Sequence, residues 1–362
     1  MTDKTLEPTA LFDPLRLPRG PKIANRLFLA PMTNCQSGED GLLSEDEYRW
    51  LTMRAEGRFG LVTTCASHVA PEGKGFPGQL GCSSEAHLPG LARLASGLRD
   101  SGAISSLQLH HAGIRAVPGV GDIIGPSDDA GTGARAMKEA EIETVINAFV
   151  SAARRAETTG FDGVQIHGGH GYLIAQFLSP ELNRRTDRWG GSPENRSRFL
   201  FEVLHRTRAA CGPGFQIGIR ISTERFGLIL PEMVELARRL FIDGAMDYLD
   251  LSLWDITKEP EDARYAGRSL MSLFVELDRG ECALGVAGGI MTAEQAKWAI
   301  SEGADYVAIG KAGILAHDFP KRLNADPGYV SPSLPVMPEF LREQGCSDAF
   351  VGYLRHQRNF VQ

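Results

Sequence analysis

The 362-residue sequence lacks a surplus of positive charge, because 38 lysines and arginines stand against 45 aspartates and glutamates and the formal net charge is −7. It has no basic run that would follow a phosphate backbone, which argues against a nucleic-acid partner. No apolar run approaches the roughly 20 residues of a membrane-spanning helix. The opening MTDKTLEPTALFDPL also has no apolar signal core. We therefore expect a cytoplasmic protein without membrane contact.

Paired cysteines and a dinucleotide-binding glycine turn are also missing. The six cysteines stand alone and none is spaced C-x-x-C, so the sequence encodes neither a zinc ribbon nor an iron–sulfur cluster. This usage fits a reducing compartment. An open dinucleotide-binding sheet would have G-x-G-x-x-G directly after its first strand. The residues at 30–33 read Ala-Pro-Met-Thr instead.

The chain does contain a regular alternation of short apolar runs with longer segments of helical period, from Arg26 onward. Such alternation indicates βα units and a parallel sheet. The runs cover residues 26–31, 60–66, 104–109, 163–167, 216–221, 248–253, 283–287 and 306–310. Eight units predict an α/β fold, a TIM (β/α)8 barrel in one domain over residues 1–362, with the barrel at about 24–325 and a C-terminal extension at about 331–362.

Two helix starts and two long loops refine this prediction. Thr292 has capping-box spacing, and Ser192 precedes a proline at the first helical position. The long loops at 113–136 and 172–193 follow the carboxyl ends of predicted strands, which is where the active sites of barrel enzymes lie.

The C-terminal extension begins with a proline-containing linker and continues into a helical segment at 339–354. Its Phe350 and Leu354, with Phe360 beyond it, are candidates for reaching across the interface of a homodimer.

Titratable side chains cluster where the fourth predicted strand ends. His167 lies at the strand terminus, and His170 and Tyr172 follow on a glycine-rich turn. Two N–H donors and one phenol aimed into a single cavity can hold a carbonyl and protonate its neighbour. Two alternatives stay open, namely a structural pair bonded to backbone, or metal ligands completed by His110 and His111.

Several motifs resemble the Old Yellow Enzyme family, the FMN-dependent ene-reductases of the NADH:flavin oxidoreductase group. The matching segments are in the family order and span nearly the whole chain. They are residues 11–17, 25–32, 108–113 and 167–196, followed by Arg220 and the pair Gly288-Gly289.

The resemblance implies a TIM barrel with an N-terminal lid hairpin and inserted βα loops, holding noncovalent FMN at its carboxyl face. NADPH or NADH would reduce the flavin, which would then pass hydride from N5 to the C=C bond of an activated alkene. His167 and His170 resemble the pair that binds the acceptor oxygen, and Tyr172 resembles the proton donor. Small molecules are therefore the expected partners, and no metal site is expected.

The resemblance also singles out positions around the flavin. The residues implied to bind it are Ala30, Pro31, Met32, Thr33, Ala66, Gln108, Arg220, Gly288, Gly289, Gly310 and Lys311. Taken without the resemblance, Arg220 could be an interior arginine paired with a carboxylate, and the glycines could be ordinary left-handed turns.

Two positions depart from the family. Lys311 stands where an arginine usually holds the FMN phosphate, and lysine cannot bind phosphate bidentately. Cys35 stands where some members place a substrate-contacting tyrosine.

Two other functions remain as alternatives. The first is a flavin-dependent dehydrogenase or demethylase on the same scaffold, although its iron–sulfur relatives need a cysteine cluster that this chain lacks. The second is a barrel without flavin, either a metal-dependent lyase or a ligand-binding protein.

Overall fold

The computed structural model describes residues 10–362, and a closed barrel of eight parallel strands forms its centre. The strands in chain order are β1 (Leu27–Leu29), β2 (Leu61–His68), β3 (Ile104–His110), β4 (Ile124–Gly125), β5 (Arg135–Ala136), β6 (Gly163–Gly168), β7 (Gln216–Ser222), β8 (Tyr248–Ser252), β9 (Ala283–Ala287) and β10 (Tyr306–Ile309). The barrel runs β1-β2-β3-β6-β7-β8-β9-β10 and closes on β1, while β4 and β5 pair with each other. All eight predicted runs are barrel strands, so the predicted TIM barrel is confirmed.

Helices connect the strands and cover the barrel. They are α1 (Glu45–Glu56), α2 (Leu88–Asp100), α3 (Glu139–Thr158), α4 (Leu173–Leu178), α5 (Pro193–Ala210), α6 (Leu230–Asp243), α7 (Ser272–Val275), α8 (Ala293–Ser301), α9 (Lys311–Leu315), α10 (Phe319–Ala325), α11 (Pro338–Glu343) and α12 (Asp348–Arg355). Ser192 caps α5 with its hydroxyl, and Thr292 forms a capping box with Gln295 at α8, as predicted. Within residues 10–362, no helix combines the length and the apolar character that crossing a bilayer requires.

Aromatic side chains fill the amino-terminal half of the barrel. The rings of Phe28 and Tyr306 stack with centroids 4.0 Å apart, and Tyr248 meets both edge-on. The Tyr306 ring lies against Gly285, where a Cβ would be 2.0 Å from ring carbons. Because Tyr248 and Tyr306 are the first residues of β8 and β10, this layer closes the amino end and leaves the carboxyl end open.

The predicted N-terminal hairpin covers the same closed end. Leu15 and Ile23 form an antiparallel pair, with mutual N–H···O distances of 3.0 and 2.9 Å. Both side chains, with Leu17, are buried against the aromatic layer. The first residues of the opening segment, 1–9, lie outside the described part of the chain.

The C-terminal extension folds back onto its own barrel. Phe350 packs edge-on against Trp50 of α1 at 5.6 Å, and Phe350, Leu354 and Phe360 are at most 3% exposed. The expectation that these three side chains reach a second copy is therefore wrong, because their apolar surface is already buried within the chain. A homodimer stays a prediction, without this contact to support it.

Candidate active site

Two adjoining cavities lie at the carboxyl ends of the barrel strands, with volumes of ≈ 390 and ≈ 50 Å³. Every predicted site residue lines one of them or both. The larger is lined by Ala30, Arg220, Gly288, Gly289, Gly310 and Lys311, the smaller by Ala66, Gln108, His167 and Tyr172, and both by Pro31, Met32, Thr33 and His170. The structure thus brings these residues together, while their individual roles stay predictions.

Strand register explains why residues so distant in sequence meet. His167 of β6 is the Cα partner of Arg220 of β7, which in turn is the partner of Asp250 of β8. Since paired positions on neighbouring strands share a face, their side chains point into the same interior layer. Gln108 of β3 pairs in the same way with Gln165 of β6, which lies two residues before His167 on the same face of the strand.

His167, His170 and Tyr172 form a compact group. The His167 ring is 5.1 Å from the His170 ring and 5.4 Å from the Tyr172 ring, centroid to centroid. Burial first, then Arg220 and Arg115, lower the pKa of His170 to about 3, and burial lowers the pKa of His167 well below its usual value. Both imidazoles are therefore neutral near pH 7, and each offers a single N–H donor.

Tyr172 is set up to remain a phenol. Burial raises the pKa of its hydroxyl, and the nearby Arg115 cation opposes that rise. A protonated phenol beside two hydrogen-bond donors has the chemistry of a general acid at an oxygen-binding site.

His170 is held in an unusual backbone conformation. Its φ is +58°, in the left-handed region that side chains other than glycine rarely adopt. Its backbone N–H donates to Ser222 Oγ at 2.9 Å, and its Nε2 lies 2.7 Å from Ser252 Oγ. Arg220 Nη2 donates to the same hydroxyl oxygen at 3.3 Å. The Ser252 hydroxyl thus links the His170 ring to the Arg220 guanidinium.

A chain of buried polar side chains crosses the barrel beneath this group. Gln108 Nε2 donates to Gln165 Oε1 at 2.7 Å, and Gln165 Nε2 donates to Asp250 Oδ2 at 3.3 Å. Arg220 Nη1 lies 3.1 Å from the same carboxylate oxygen. The carboxylate pairing that the sequence left open for Arg220 is thus present.

The ion pair does not use all of the donors of Arg220. Within residues 10–362, Arg220 Nε is buried without a hydrogen-bond partner, as is His167 Nδ1. A buried N–H without a partner is costly, so Arg220 Nε is available to a bound group that supplies an acceptor.

Glycines and a lysine form the far wall of the larger cavity. A Cβ at Gly288 would be 2.8 Å from the backbone nitrogen of Asp255, and Gly289 has a φ of +64°. Gly310 is not left-handed, so the alternative of two ordinary left-handed turns holds only for Gly289. Lys311 is exposed at the start of α9. A bare backbone wall beside a cation suits a phosphate, and the free donors of Arg220 suit a polar ring edge, so the residues fit FMN.

Some residues at the site were not predicted from the sequence. Tyr353, Gln357 and Phe360 of the C-terminal segment line the larger cavity, and Arg115 lies beside Tyr172. No motif marks them, because the loop after β3 and the C-terminal segment that carry them reach the site only through the fold. Asp250 could have been identified from the sequence, because a carboxylate inside the apolar strand YLDLS needs a partner.

His110 and His111 have separate surroundings. His110 Nδ1 is 3.1 Å from Gln79 Nε2, and its ring centroid is 4.4 Å from that of Tyr172. His111 Nδ1 accepts from the Gly113 N–H at 3.1 Å. Among residues 10–362, no group of three or more His, Cys, Asp or Glu side chains is arranged to hold a metal ion.

Known proteins resemble this chain over most of its length. Residues 10–327 match the model of the NADH:flavin oxidoreductase / NADH oxidase family. The chain is 39% identical over 315 residues to "Probable NADH-dependent flavin oxidoreductase YqiG" of Bacillus subtilis, covering 83% of this chain and 84% of that protein. It is 38% identical over 317 residues to an NADPH dehydrogenase of a Geobacillus species, covering 84% and 90%.

Solved structures agree with these relatives. Morphinone reductase in complex with tetrahydroNAD aligns with a TM-score of 0.78 at 26% identity, over 94% of this chain and 96% of that one. The Old Yellow Enzyme homologue of Zymomonas mobilis aligns with a TM-score of 0.79 at 26% identity, over 94% and 99%. The chain therefore belongs to the NADH:flavin oxidoreductase / NADH oxidase family, among the Old Yellow Enzyme homologues, and is an NAD(P)H-dependent oxidoreductase with FMN as its cofactor.

Proposed function

We propose that this chain is an ene-reductase, which uses NAD(P)H to reduce the C=C bond of α,β-unsaturated carbonyl compounds and related activated alkenes. The observation that carries the proposal is the group of His167, His170 and Tyr172 beside a cavity whose walls fit FMN. Two neutral N–H donors and one phenol are the groups that a polarised alkene needs on the side away from the hydride source.

Bound FMN supplies the hydride that it has taken from NAD(P)H. His167 and His170 bind the carbonyl or nitro oxygen of the acceptor and stabilise the negative charge that builds on it. That charge makes the β carbon able to accept hydride. Tyr172 then gives its phenolic proton to the α carbon, which completes addition of hydrogen across the double bond.

The remaining predicted residues hold the cofactor in this proposal. The side chains of Thr33, Gln108 and Arg220 bond the edge of the ring system. The backbones of Ala30, Pro31, Met32 and Ala66 lie against the ring, and Gly288, Gly289, Gly310 and Lys311 hold the phosphate. We retain cytoplasmic location and a homodimer as parts of the same proposal.

Membership of a flavin oxidoreductase family overturns the barrel without flavin, so neither a metal-dependent lyase nor a flavin-free binding protein is proposed. A flavin enzyme that works in the oxidative direction is separated from an ene-reductase by the test below.

The test is anaerobic oxidation of NADPH with 2-cyclohexenone present, with the product identified. The wild type is expected to form cyclohexanone in step with NADPH consumption. The double variant His167→Ala/His170→Ala should retain FMN absorbance and lose alkene reduction by at least about 100-fold, the cost of one oxyanion donor.

His205→Ala is the matched control, because this exposed histidine of α5 lies outside both cavities and pairs with Asp243 at 2.7 Å. It should reduce cyclohexenone at the wild-type rate. Full activity of the double variant would remove the assigned roles of the two histidines. NADPH oxidation that stops at the one equivalent needed to reduce the flavin, with no cyclohexanone formed, would instead contradict the ene-reductase.

A further inference from the structure

Arg115 is exposed, yet it contacts His170 and Tyr172, two of the three residues that the proposed function places against the acceptor. Its Nη1 donates to the backbone oxygen of His170 at 2.5 Å. Its guanidinium carbon lies 4.9 Å from the centroid of the Tyr172 ring, within the range of a cation–π contact. The two contacts hold the guanidinium in one place without an ion pair.

The loop that carries Arg115 is itself anchored. Gly113 has a φ of +61°, and a Cβ there would be 2.1 Å from Gln176 Oε1. That amide oxygen accepts from Ile114 N–H at 3.1 Å, and Gln176 Nε2 donates to the backbone oxygens of Ala112 and Gly171. Gln176 thereby ties the loop after β3 to the turn that carries His170. The hydrogen bonds of Gln176 therefore fix the position of Arg115 relative to His170 and Tyr172.

The charge of Arg115 is not neutralised by the protein. Among residues 10–362 no carboxylate lies within ion-pair distance of it, whereas Arg93 and Arg135 are each paired. Arg225 stacks on Trp254, a residue of the larger cavity, at 4.9 Å, and its Nε lies 3.9 Å from the Glu261 carboxylate. An ordered guanidinium with unused N–H donors is a ready site for a carboxylate.

The other cations near the site are assigned to the cofactor in the proposed function. Arg220 and Lys311 are the charged residues in the walls of the two cavities, and no carboxylate side chain of residues 10–362 lines either one. Arg220 is paired with Asp250 and belongs to the cofactor in the proposed function, as does Lys311. Arg115 is thus the cation left for the acceptor, adjacent to the proposed proton donor.

We propose that Arg115 binds a carboxylate carried by the acceptor, so that this enzyme prefers activated alkenes with an anionic substituent. The inference rests on the proposed ene-reductase function. It adds a specificity residue that acts through the substrate, in addition to the support that Arg115 gives to His170 and Tyr172. Losing Arg115 should therefore affect a charged acceptor far more than its neutral analogue.

The test compares (E)-4-oxopent-2-enoic acid, ionised at pH 7, with its methyl ester. Arg115→Gln should lower kcat/KM for the acid by at least about tenfold relative to the ester, the value of one charge-assisted hydrogen bond. Arg115→Lys should restore part of the preference. Arg154→Gln removes an exposed arginine of α3 that, unlike Arg115, makes no hydrogen bond or cation–π contact to His170 or Tyr172 within residues 10–362, and it should leave the ratio unchanged.

A second readout is independent of turnover. Changes in flavin absorbance on titration give the dissociation constants of the acid and the ester for the oxidised holoenzyme. Arg115→Gln should raise the dissociation constant of the acid and leave that of the ester unchanged. If the wild type binds but reduces neither compound, the ene-reductase proposal fails while these constants still decide the role of Arg115.

Three results would overturn the inference. The first is an acid-to-ester ratio that Arg115→Gln leaves unchanged in both readouts. The second is an equal loss for acid and ester, which would make Arg115 a positioning residue only. The third is that Arg115→Gln slows flavin reduction by NADPH by the same factor as it lowers kcat/KM for the acid. That result would place the guanidinium on the pyrophosphate of NADPH.

Discussion

Replacing Arg220 by glutamine tests how the flavin site depends on the barrel beneath it. The side chains of Arg220 and Asp250 are 5% and 1% exposed, so solvent screens their interaction little. Arg220→Gln leaves a buried carboxylate without its cation, which typically costs about 3–5 kcal/mol of unfolding free energy. If Arg220 binds the flavin ring edge as proposed, the variant also removes charged donors from it, and since one such bond is worth about 1.5–3 kcal/mol the Kd for FMN should rise roughly ten- to a hundredfold.

Two assays keep the effects apart. Urea unfolding of protein stripped of FMN measures stability without the contribution of the ligand, and fluorescence titration of FMN measures Kd. The double variant Arg220→Gln/Asp250→Asn is the control, because it removes both charges. It should regain most of the unfolding free energy and still bind FMN weakly.

The pH dependence of the single variant follows from Asp250. Burial raises the pKa of its carboxyl and Arg220 opposes the rise, so the variant raises that pKa further. A group whose pKa is higher in the folded state takes up protons on folding, and its stabilising contribution is lost as pH rises through the folded value. The stability deficit of Arg220→Gln should therefore shrink as pH is lowered toward the folded pKa.

Two outcomes would refute this reasoning. If the double variant binds FMN as tightly as the wild type, Arg220 acts only by neutralising Asp250 and does not contact the flavin. If the single variant loses no stability at pH 8, the ion pair does not support the barrel.

Three further predictions concern other parts of the site and the fold. Lys311→Arg should lower the Kd for FMN severalfold because a guanidinium binds phosphate bidentately, and a fluorescence titration with unchanged Kd would contradict it. Tyr172→Phe should slow reoxidation of the reduced enzyme by cyclohexenone by about 100-fold or more while reduction by NADPH continues, as stopped-flow absorbance would measure. Phe350→Ala should cost about 3–5 kcal/mol in urea unfolding, because Phe350 is fully buried against Trp50; a cost below 1 kcal/mol would mean that the C-terminal helix packs loosely.

Much of the fold could be predicted because the barrel repeats one simple pattern. Parallel strands that are buried on both faces appear as short apolar runs, and covering helices show one apolar stripe. Strand ends were less certain, and the first strand is Leu27–Leu29 where the run extended over 26–31. The histidine and tyrosine group could also be predicted, since its members are within six residues of one another.

Contacts between distant segments could not be predicted. The Arg220–Asp250 pair depends on strand register, and the placement of Arg115 depends on the bonds that Gln176 makes to two loops. The C-terminal segment was expected to use its aromatic residues on a partner, because an apolar helix face does not specify what covers it. In the structure the covering surface is its own barrel, and Tyr353 reaches the cavity as a result.

The most direct measurement of the central claim is a single turnover without oxygen. Enzyme whose FMN has been reduced by one equivalent of NADPH is mixed with increasing 2-cyclohexenone, and the return of oxidised flavin absorbance is followed. An ene-reductase predicts saturable reoxidation that yields one cyclohexanone per flavin. Flavin that stays reduced with every activated alkene, and is reoxidised only when oxygen is admitted, would contradict the account.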